Sequence, residues 1–252
     1  MKTLVFDIDN SLAAIGGNLK AKEIFGLEPI RITDGALQIK KYLVKLFDKK
    51  EVKKYHELFN EEMTDIVFEP NPFAMKVGIN VIVIDTISHL FRQDMRRLEK
   101  DNKSGAMEMK DWGKLERLYS ELISTLTALP VITIINSHAT YDKNQADGSF
   151  YFQPAVKGAT KESMQEYFDL VLYTKVAKEK KVYTWQTMAD NTKFAKDRLG
   201  VLDEYVAQDF AHVINSYKKY NILYPNILVI GESGTGKTKS LTTIKEKGTY
   251  AI

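Results

Sequence analysis

Short apolar runs that end in a polar residue or a glycine recur along the chain. Runs of this kind, bounded by turn residues and rich in β-branched side chains, are typical of strands buried in a parallel sheet. The sequence predicts such strands over residues 3–6 (TLVF), 80–85 (NVIVID), 131–135 (VITII) and 227–230 (ILVI). Two more strands, over residues 169–176 and 182–187, lie close enough in the chain to predict an antiparallel hairpin.

Apolar residues at helical spacing predict helices between these strands. Residues 115–129 show the clearest amphipathic pattern, and a proline follows them. Two further helices are predicted over residues 33–54, which carry a lysine-rich second face, and over residues 202–220. The polar residues 91–114 and the glycine-containing residues 139–158 are predicted to be loops.

The alternation of strands and helices predicts an α/β fold. We expect a mainly parallel sheet with helices on both sides, and the hairpin adds an antiparallel extension to it. A chain of 252 residues is long enough for one large domain of this kind. We therefore expect residues 1–252 to form a single domain.

The run at residues 227–230 leads directly into a phosphate-binding signature. Residues 231–238, GESGTGKT, fit the pattern G-x-x-x-x-G-K-[ST], in which glycines let backbone N–H groups turn towards a phosphate. Lys237 is predicted to reach the β- and γ-phosphates of ATP, and the Thr238 hydroxyl to ligate Mg²⁺. The candidate nucleotide-binding residues are Gly231, Glu232, Ser233, Gly234, Thr235, Gly236, Lys237, Thr238 and Lys239.

Three polar side chains follow predicted strands, at the end where α/β sheets bind ligands. Asp85 closes residues 80–85 in the manner of a Walker B strand, which predicts a place in the Mg²⁺ site; an ordinary capped strand is the alternative. Asp9 follows the first strand, where it either serves catalysis or caps a turn. His138 follows the strand at 131–135, where it either contacts the γ-phosphate or is structural.

The composition of the chain indicates its cellular compartment but says little about its function. The balance of 36 Lys and Arg against 33 Asp and Glu gives a net charge of +3, which is too small to indicate nucleic-acid binding by itself. The chain has no cysteine, which excludes disulfides and zinc–thiolate sites and suits a reducing cytoplasm. The absence of an apolar run of about 20 residues argues against membrane insertion. We therefore expect a cytoplasmic protein.

Two features outside the P-loop suggest macromolecular partners. Lys196 and Arg198 alternate after the predicted hairpin, so that on a strand both would point the same way. They either contact a phosphate on a second subunit or are solvated. The aromatic residues 150–152 lie within a predicted loop, where they either stack on nucleic-acid bases or pack into the core.

The order of the motifs along the chain is unusual. P-loop proteins normally begin with the P-loop strand and reach the Walker B strand later, whereas here the P-loop comes last. Residues 221–252 supply the P-loop strand and helix, and the first ten residues supply the strand that would follow them. We therefore expect a circular permutation, which a fold tolerates because its chain ends commonly lie close together.

In the restored order the chain resembles the RecA-like P-loop ATPases, most closely the phage recombination and single-strand-annealing ATPases of the Sak type. The resemblance rests on GESGTGKT as Walker A, on NVIVIDTISHL as Walker B, and on the helix and sensor strand in residues 109–139. It rests also on TKFAKDRLG, which is similar to the K-x-R segment with which ring and filament relatives reach a neighbouring subunit's nucleotide.

The resemblance implies a role for each candidate residue. Asp9 stands where relatives place the carboxylate that activates water, usually a glutamate that is one methylene longer. His138 stands at the γ-phosphate sensor, and Lys196 and Arg198 would act on a neighbouring subunit. Residues 91–113 and 139–158 correspond to the two loops that face DNA.

The sequence thus predicts an ATPase that requires Mg²⁺ and is stimulated by single-stranded DNA during homologous recombination or annealing. It would assemble as a homo-oligomeric ring or filament and could meet recombination partner proteins. Two alternatives stay open. One is an assembly protein that binds ATP with little hydrolysis, and the other is a small-molecule P-loop kinase, which needs a closed acceptor pocket and an arginine-rich lid.

Overall fold

The computed structural model describes residues 1–56, 61–143, 150–158, 160–177 and 182–244. Its strands are β1 (Lys2–Asp7), β2 (Ile30–Arg31), β3 (Phe47–His56), β4 (Glu61–Pro70), β5 (Ile79–Asp85), β6 (Ile132–Lys143), β7 (Phe150–Pro154), β8 (Leu170–Ala177), β9 (Val182–Gln186), β10 (Lys196–Asp197), β11 (Tyr205–Ala207) and β12 (Asn226–Gly231).

The α-helices are α1 (Gly17–Phe25), α2 (Gly35–Leu46), α3 (Pro72–Val77), α4 (Ile87–Asp101), α5 (Met109–Thr127), α6 (Thr160–Ser163), α7 (Phe210–Lys218) and α8 (Lys237–Ser240). Short 3₁₀ helices span Ser11–Ile15, Met164–Tyr167 and Leu241–Ile244. Within these described residues, no helix combines the length and the apolar character that crossing a membrane requires.

Ten of the strands form one sheet in the order β11, β9, β8, β12, β6, β5, β1, β2, with β10 paired to β8 and β7 paired to β6. The neighbours from β8 to β2 in this order run parallel. Strands β7, β9, β10 and β11 pair antiparallel, and β3 and β4 form a separate hairpin. This arrangement confirms the predicted α/β fold, a mainly parallel sheet between helices with an antiparallel extension.

The central parallel strands are buried on both faces. In β5, Ile82 and Ile84 belong to one core cluster, whereas Val81 and Val83 belong to the other. The first cluster also contains apolar residues of α2, α4 and α5, and the second contains those of α1 and α7. Because both faces are covered, these strands have continuous apolar sequences rather than alternating ones.

The carboxyl ends of four neighbouring parallel strands meet at one edge of the sheet. Gly231 of β12 is in register with His138 of β6, and Asp85 of β5 is in register with both Asn136 of β6 and Asp7 of β1. Residues that follow these strands therefore lie close in space although they are far apart in the chain. This edge carries the candidate site.

Two of the sequence-based predictions are wrong in part. The helix predicted over residues 33–54 ends at Leu46, and the rest of that segment enters strand β3. The segment 91–114, predicted to be a loop, is mostly helical, because α4 continues to Asp101 and α5 begins at Met109. In the first segment the pairing of β3 with β4 overrides the helical spacing of apolar residues, and in the second the packing of α4 overrides the polar composition. Both are tertiary effects.

Buried Asp94 shows why the polar segment after β5 folds as a helix. Its carboxylate accepts hydrogen bonds from the Tyr119 hydroxyl of α5 at 3.0 Å and from the Ala36 backbone N–H of α2 at 2.9 Å. Arg97, on the next turn of α4, completes the set with an ion pair at 2.9 Å. A buried carboxylate needs partners of this kind, and here they tie three helices together.

Two other predicted segments are also corrected. Residues 139–143 continue β6, and β7 returns antiparallel beside them, so that this stretch of the predicted loop 139–158 is a two-stranded ribbon. Residues 144–149, within the same predicted loop, lie outside the described residues. The helix predicted over residues 202–220 is shorter, because Tyr205–Ala207 forms strand β11 and α7 begins only at Phe210.

Candidate nucleotide-binding site

The P-loop turns sharply away from the end of β12 at positions where only glycine fits. A Cβ added to Gly231 would lie 1.5 Å from Thr174 Oγ1 on the neighbouring strand β8. Gly236 has a φ of +90°, which L-residues rarely adopt, and an added Cβ there would lie 2.7 Å from Gln208 Oε1. The Gln208 amide also donates to the Thr235 carbonyl at 3.1 Å, and this bond supports the loop from outside.

Lys237 is almost completely buried at the start of α8. Its ammonium group donates hydrogen bonds to the carbonyls of Gly231 at 2.8 Å and Glu232 at 2.7 Å, which begin the loop. Burial lowers the pKa of Lys237 to about 8, although the carboxylates of Asp85 and Asp9 act in the opposite direction. An ammonium group has three donors, so one N–H remains for a phosphate oxygen.

The Walker B carboxylate meets the P-loop hydroxyl directly. Thr238 Oγ1 donates to Asp85 Oδ2 at 2.9 Å, and Ser11 Oγ donates to the same oxygen at 2.5 Å. The other carboxylate oxygen, Oδ1, accepts a hydrogen bond from the Asn136 amide at 3.0 Å. Burial raises the pKa of Asp85, and the hydrogen bonds from Ser11, Asn136 and Thr238 offset part of that effect.

These residues fit a nucleotide bound with Mg²⁺. Magnesium prefers hard oxygen ligands, and the Thr238 hydroxyl lies beside the Asp85 carboxylate with 2.9 Å between their oxygens. The buried Lys237 ammonium lies at the same loop and supplies the charge that a phosphate requires. Thr238 and Asp85 would therefore hold the metal, and the loop with Lys237 would hold the phosphates.

A second carboxylate at this edge has a different environment. Asp9 Oδ1 accepts the Ser11 backbone N–H at 3.1 Å, while Asp9 Oδ2 lies 3.1 Å from His89 Nδ1 and 3.8 Å from His138 Nε2. Burial by itself would raise the pKa of Asp9, but its contacts with His138, Ser11 and His89 outweigh burial and lower it. Asp9 is therefore ionised near neutral pH.

An open cavity of about 640 Å³ adjoins the P-loop. Asp9 and His138 line it together with the P-loop residues, and Tyr183 and Gln208 contribute to the same wall as Gly236. The volume lies within the range that is usual for sites of cofactor size. The Tyr183 ring approaches the loop at Gly236, so it is a candidate contact for the base of a nucleotide.

Lys196 and Arg198 do not lie in this pocket. Lys196 is paired with Val171 at the beginning of β8, whereas the P-loop follows the carboxyl end of the adjacent β12. Arg198 lies beyond the two-residue strand β10 and forms an ion pair with Asp169 at 2.8 Å. Strand β10 includes Lys196 but not Arg198, so the two side chains do not project from one strand, and both lie towards the amino-terminal edge of the sheet.

The site combines residues that the sequence predicted with residues that it did not. Lys237, Thr238, Asp85, Asp9 and His138 come together as the motif spacing and the strand ends predicted. The partners that sequence reasoning missed are Ser11, Asn136, His89, Tyr183 and Gln208. Position after a strand could have indicated Ser11, His89 and Asn136, but no local signal distinguishes the other two.

The geometry of the site defines a class of protein: a P-loop protein that binds a nucleotide at the carboxyl edge of its sheet. Comparison with known proteins supports this class. Residues 1–199 match the AAA domain family, and the chain belongs to this family. A search of curated proteins found no match, and neither did a search of solved structures. The family match and the P-loop geometry together assign the chain to the P-loop ATPase class.

Proposed function

We propose that the chain is a Mg²⁺-dependent ATPase of the RecA-like type that couples ATP hydrolysis to the binding of single-stranded DNA in recombination or annealing. The observation that carries the ATPase proposal is the contact between Thr238 and Asp85. Their side-chain oxygens lie 2.9 Å apart although 153 positions separate them. Hydroxyl and carboxylate meet in this way where P-loop enzymes hold the metal ion of a nucleotide.

Asp9 is the residue that orients the attacking water in this proposal. Its ionised carboxylate lines the cavity beside the P-loop, so that it can accept a proton from a water placed for in-line attack on the γ-phosphate. His138 lines the same cavity and donates to a phosphate oxygen. Lys237 stabilises the charge that develops on the phosphate, and Mg²⁺, when bound, supplies further neutralisation.

From the resemblance of its motifs we propose that the core is related to the Sak-type phage ATPases, and three observations support a RecA-like core in circularly permuted order. The P-loop strand β12 comes last in the chain but lies between β8 and β6 in the centre of the sheet. Strand β1, which would follow it in the usual order, lies beside the Walker B strand β5. The family match covers residues 1–199 and does not include the P-loop. Proximity of the chain ends would test this order directly, but Ile252 lies outside the described residues.

The ribbon of β6 and β7 supports the proposed contact with single-stranded DNA. Tyr141 is opposite Phe152, and Lys143 is opposite Phe150, so these four residues share one face of the ribbon. Tyr141 and Phe150 are exposed, and their rings pack edge to face at 5.3 Å. An exposed aromatic pair beside a lysine offers both base stacking and a phosphate contact.

The proposal also includes a homo-oligomer in which Arg198 contacts the nucleotide bound by a neighbouring subunit. Arg198 is about half exposed, and its ion pair with Asp169 lies away from the pocket of its own chain. If Arg198 contacts a nucleotide, that nucleotide must therefore be bound by another subunit. Lys196, close to it on β10, would accompany it.

ATP hydrolysis with and without single-stranded DNA, at two salt concentrations, tests the proposal. We expect the DNA to stimulate phosphate release and the DNA affinity to fall as salt rises, because phosphate contacts release counterions. Tyr141→Ala should weaken DNA binding about 5- to 150-fold, or about 1–3 kcal/mol, since one stacking contact is lost. Fluorescence anisotropy with a labelled oligonucleotide measures this affinity.

Tyr220→Ala is the matched control, because Tyr220 is 59% exposed against 61% for Tyr141 and follows α7 rather than the ribbon. Equal DNA affinity of the two variants would contradict the role of the ribbon. ATP binding without phosphate release, in the presence or absence of DNA, would instead favour the nucleotide-dependent assembly protein.

A further inference from the structure

Three metal-ligating side chains converge at the ends of three neighbouring strands. His138 lies where β6 stops pairing with β12, His89 lies in the first turn of α4 directly after β5, and Asp9 follows β1. Strands β6, β5 and β1 are adjacent in the sheet, so the fold brings the three side chains to one point. The P-loop signature involves none of them.

The ligand atoms lie at distances that suit a single metal ion. Asp9 Oδ2 is 3.1 Å from His89 Nδ1 and 3.8 Å from His138 Nε2, and one atom from each residue lies within 4.8 Å of the other two. Ligands at about 2.0–2.1 Å from a tetrahedral ion are about 3.3 Å from one another. Small rotations of the side chains would therefore produce a coordination site.

Neighbouring hydrogen bonds already position Asp9 and the backbone of His138, and Thr86 Oγ1 lies 3.1 Å from His89 Nδ1. The Ser11 backbone N–H occupies Asp9 Oδ1 and leaves Oδ2 directed at the two imidazole rings. Ser88, next to His89, accepts the backbone N–H of His138 at 2.8 Å and so fixes one histidine relative to the other. Outer partners of this kind orient ligands and strengthen metal binding.

The donor set selects the class of metal. Magnesium prefers oxygen ligands, whereas imidazole favours zinc and related first-row transition metals. We propose that Asp9, His89 and His138 form a second metal site, separate from the Thr238–Asp85 site, that binds a divalent transition-metal ion such as Zn²⁺. Three protein ligands leave a fourth position open for water, as in zinc sites that are not purely structural.

Direct metal binding tests this site without nucleotide, so the result does not depend on the proposed ATPase activity. Metal-stripped full-length chain is titrated with Co²⁺, whose visible absorption reports tetrahedral nitrogen and oxygen ligands, and Zn²⁺ is then added to displace it. We expect one saturable site. His89→Gln and Asp9→Asn should each weaken Co²⁺ binding at least about 100-fold, because each removes a ligand that the ion contacts directly.

Two control variants keep the outcome interpretable. His212→Gln removes an exposed histidine from α7 and should bind Co²⁺ as the unchanged chain does. Lys237→Ala disables the P-loop and should also retain the metal site, which separates this inference from the proposed function. Zn²⁺ should raise the thermal midpoint of the unchanged chain but not that of His89→Gln, since a ligand stabilises the state that binds it.

Two results of the Co²⁺ titration would contradict the metal site. If the unchanged chain and His89→Gln bind Co²⁺ with the same affinity, or if neither binds it, the three side chains form only a hydrogen-bonded carboxylate–histidine cluster and the metal site is wrong. The thermal midpoints without metal show whether each variant is folded, so that loss of binding through misfolding is recognised.

Discussion

The two carboxylates at the carboxyl edge of the sheet differ although both are aspartates. Asp85 is completely buried, and the side chains of Ser11, Asn136 and Thr238 donate hydrogen bonds to it. Asp9 is partly exposed and faces two imidazole rings. Burial raises the pKa of Asp85, whereas the contacts with His138, Ser11 and His89 overcome burial and lower the pKa of Asp9.

This difference separates two tasks within one cavity. Lys237 and Thr238 form one wall, with buried Asp85 hydrogen-bonded to Thr238, and this wall is suited to binding a metal ion and phosphates. Asp9 and His138 form the other wall, with His89 in contact with Asp9, and it presents an ionised group to the cavity, which is suited to handling a proton or water. Variants on the first wall should therefore affect affinity, and variants on the second should affect turnover.

Lys237→Ala should have the largest effect. We expect ATP affinity to fall roughly 100-fold or more, because removal of a charge-assisted contact to phosphate costs about 3 kcal/mol, and ATP turnover should no longer be detectable. Isothermal titration with ATP and a phosphate-release assay measure the two quantities. Lys219→Ala, which removes an exposed lysine after α7, is the control.

Lys237→Ala, combined with Arg198→Ala, also tests the proposed contact between subunits. Arg198→Ala should lose turnover and keep its ATP affinity, because its own pocket is intact. Mixing Arg198→Ala chains with Lys237→Ala chains should restore part of the activity, since one chain then supplies the pocket and the other the arginine. Absence of any rescue would count against the oligomeric arrangement but not against ATP binding.

Asp9→Asn should show the opposite pattern to Lys237→Ala. We expect kcat to fall by about 10²–10⁴, the usual contribution of a positioned general base, with little change in ATP affinity. Asp203→Asn, an exposed aspartate before β11, should leave both quantities as they are. A parallel loss of affinity and kcat in Asp9→Asn would show that the two walls are not functionally separate.

The smallest expected effect is a pH dependence that arises from Lys237. Its pKa of about 8 lies below that of an unfolded lysine, so between these values the unfolded chain binds more protons and this group adds stability as pH rises. From pH 7 to pH 9 the contribution is about 1 kcal/mol, and ATP affinity should fall about tenfold as the ammonium charge is lost.

Chemical denaturation of the nucleotide-free chain and of Lys237→Ala at both pH values isolates this contribution, since all other groups are common to the two. The difference between them in free energy of unfolding should change with pH in favour of the unchanged chain. If that difference is independent of pH, the pKa of Lys237 is not lowered and the interpretation of its burial is wrong.

Much of the fold could be predicted from the sequence, because the buried strands are marked by short runs of consecutive apolar residues. The apolar runs at β1, β5, β6 and β12 identified the buried strands, and the hairpin of β8 and β9 was predicted from its spacing. The failures have a common cause. The segment 91–114 is highly charged, and its helical parts depend on contacts such as those of Asp94 with α2 and α5, which no local pattern contains.

For the site, the sequence by itself determined the P-loop. The glycines, the lysine and the threonine all lie within eight consecutive residues, so the loop conformation depends on local backbone geometry alone. Only the tertiary structure decided that Ser11 and Asn136 would bond to Asp85, and that His89 would meet Asp9. Those contacts depend on which strands are neighbours and on their register. Register is a property of the whole sheet, and it joins residues that the chain itself keeps far apart.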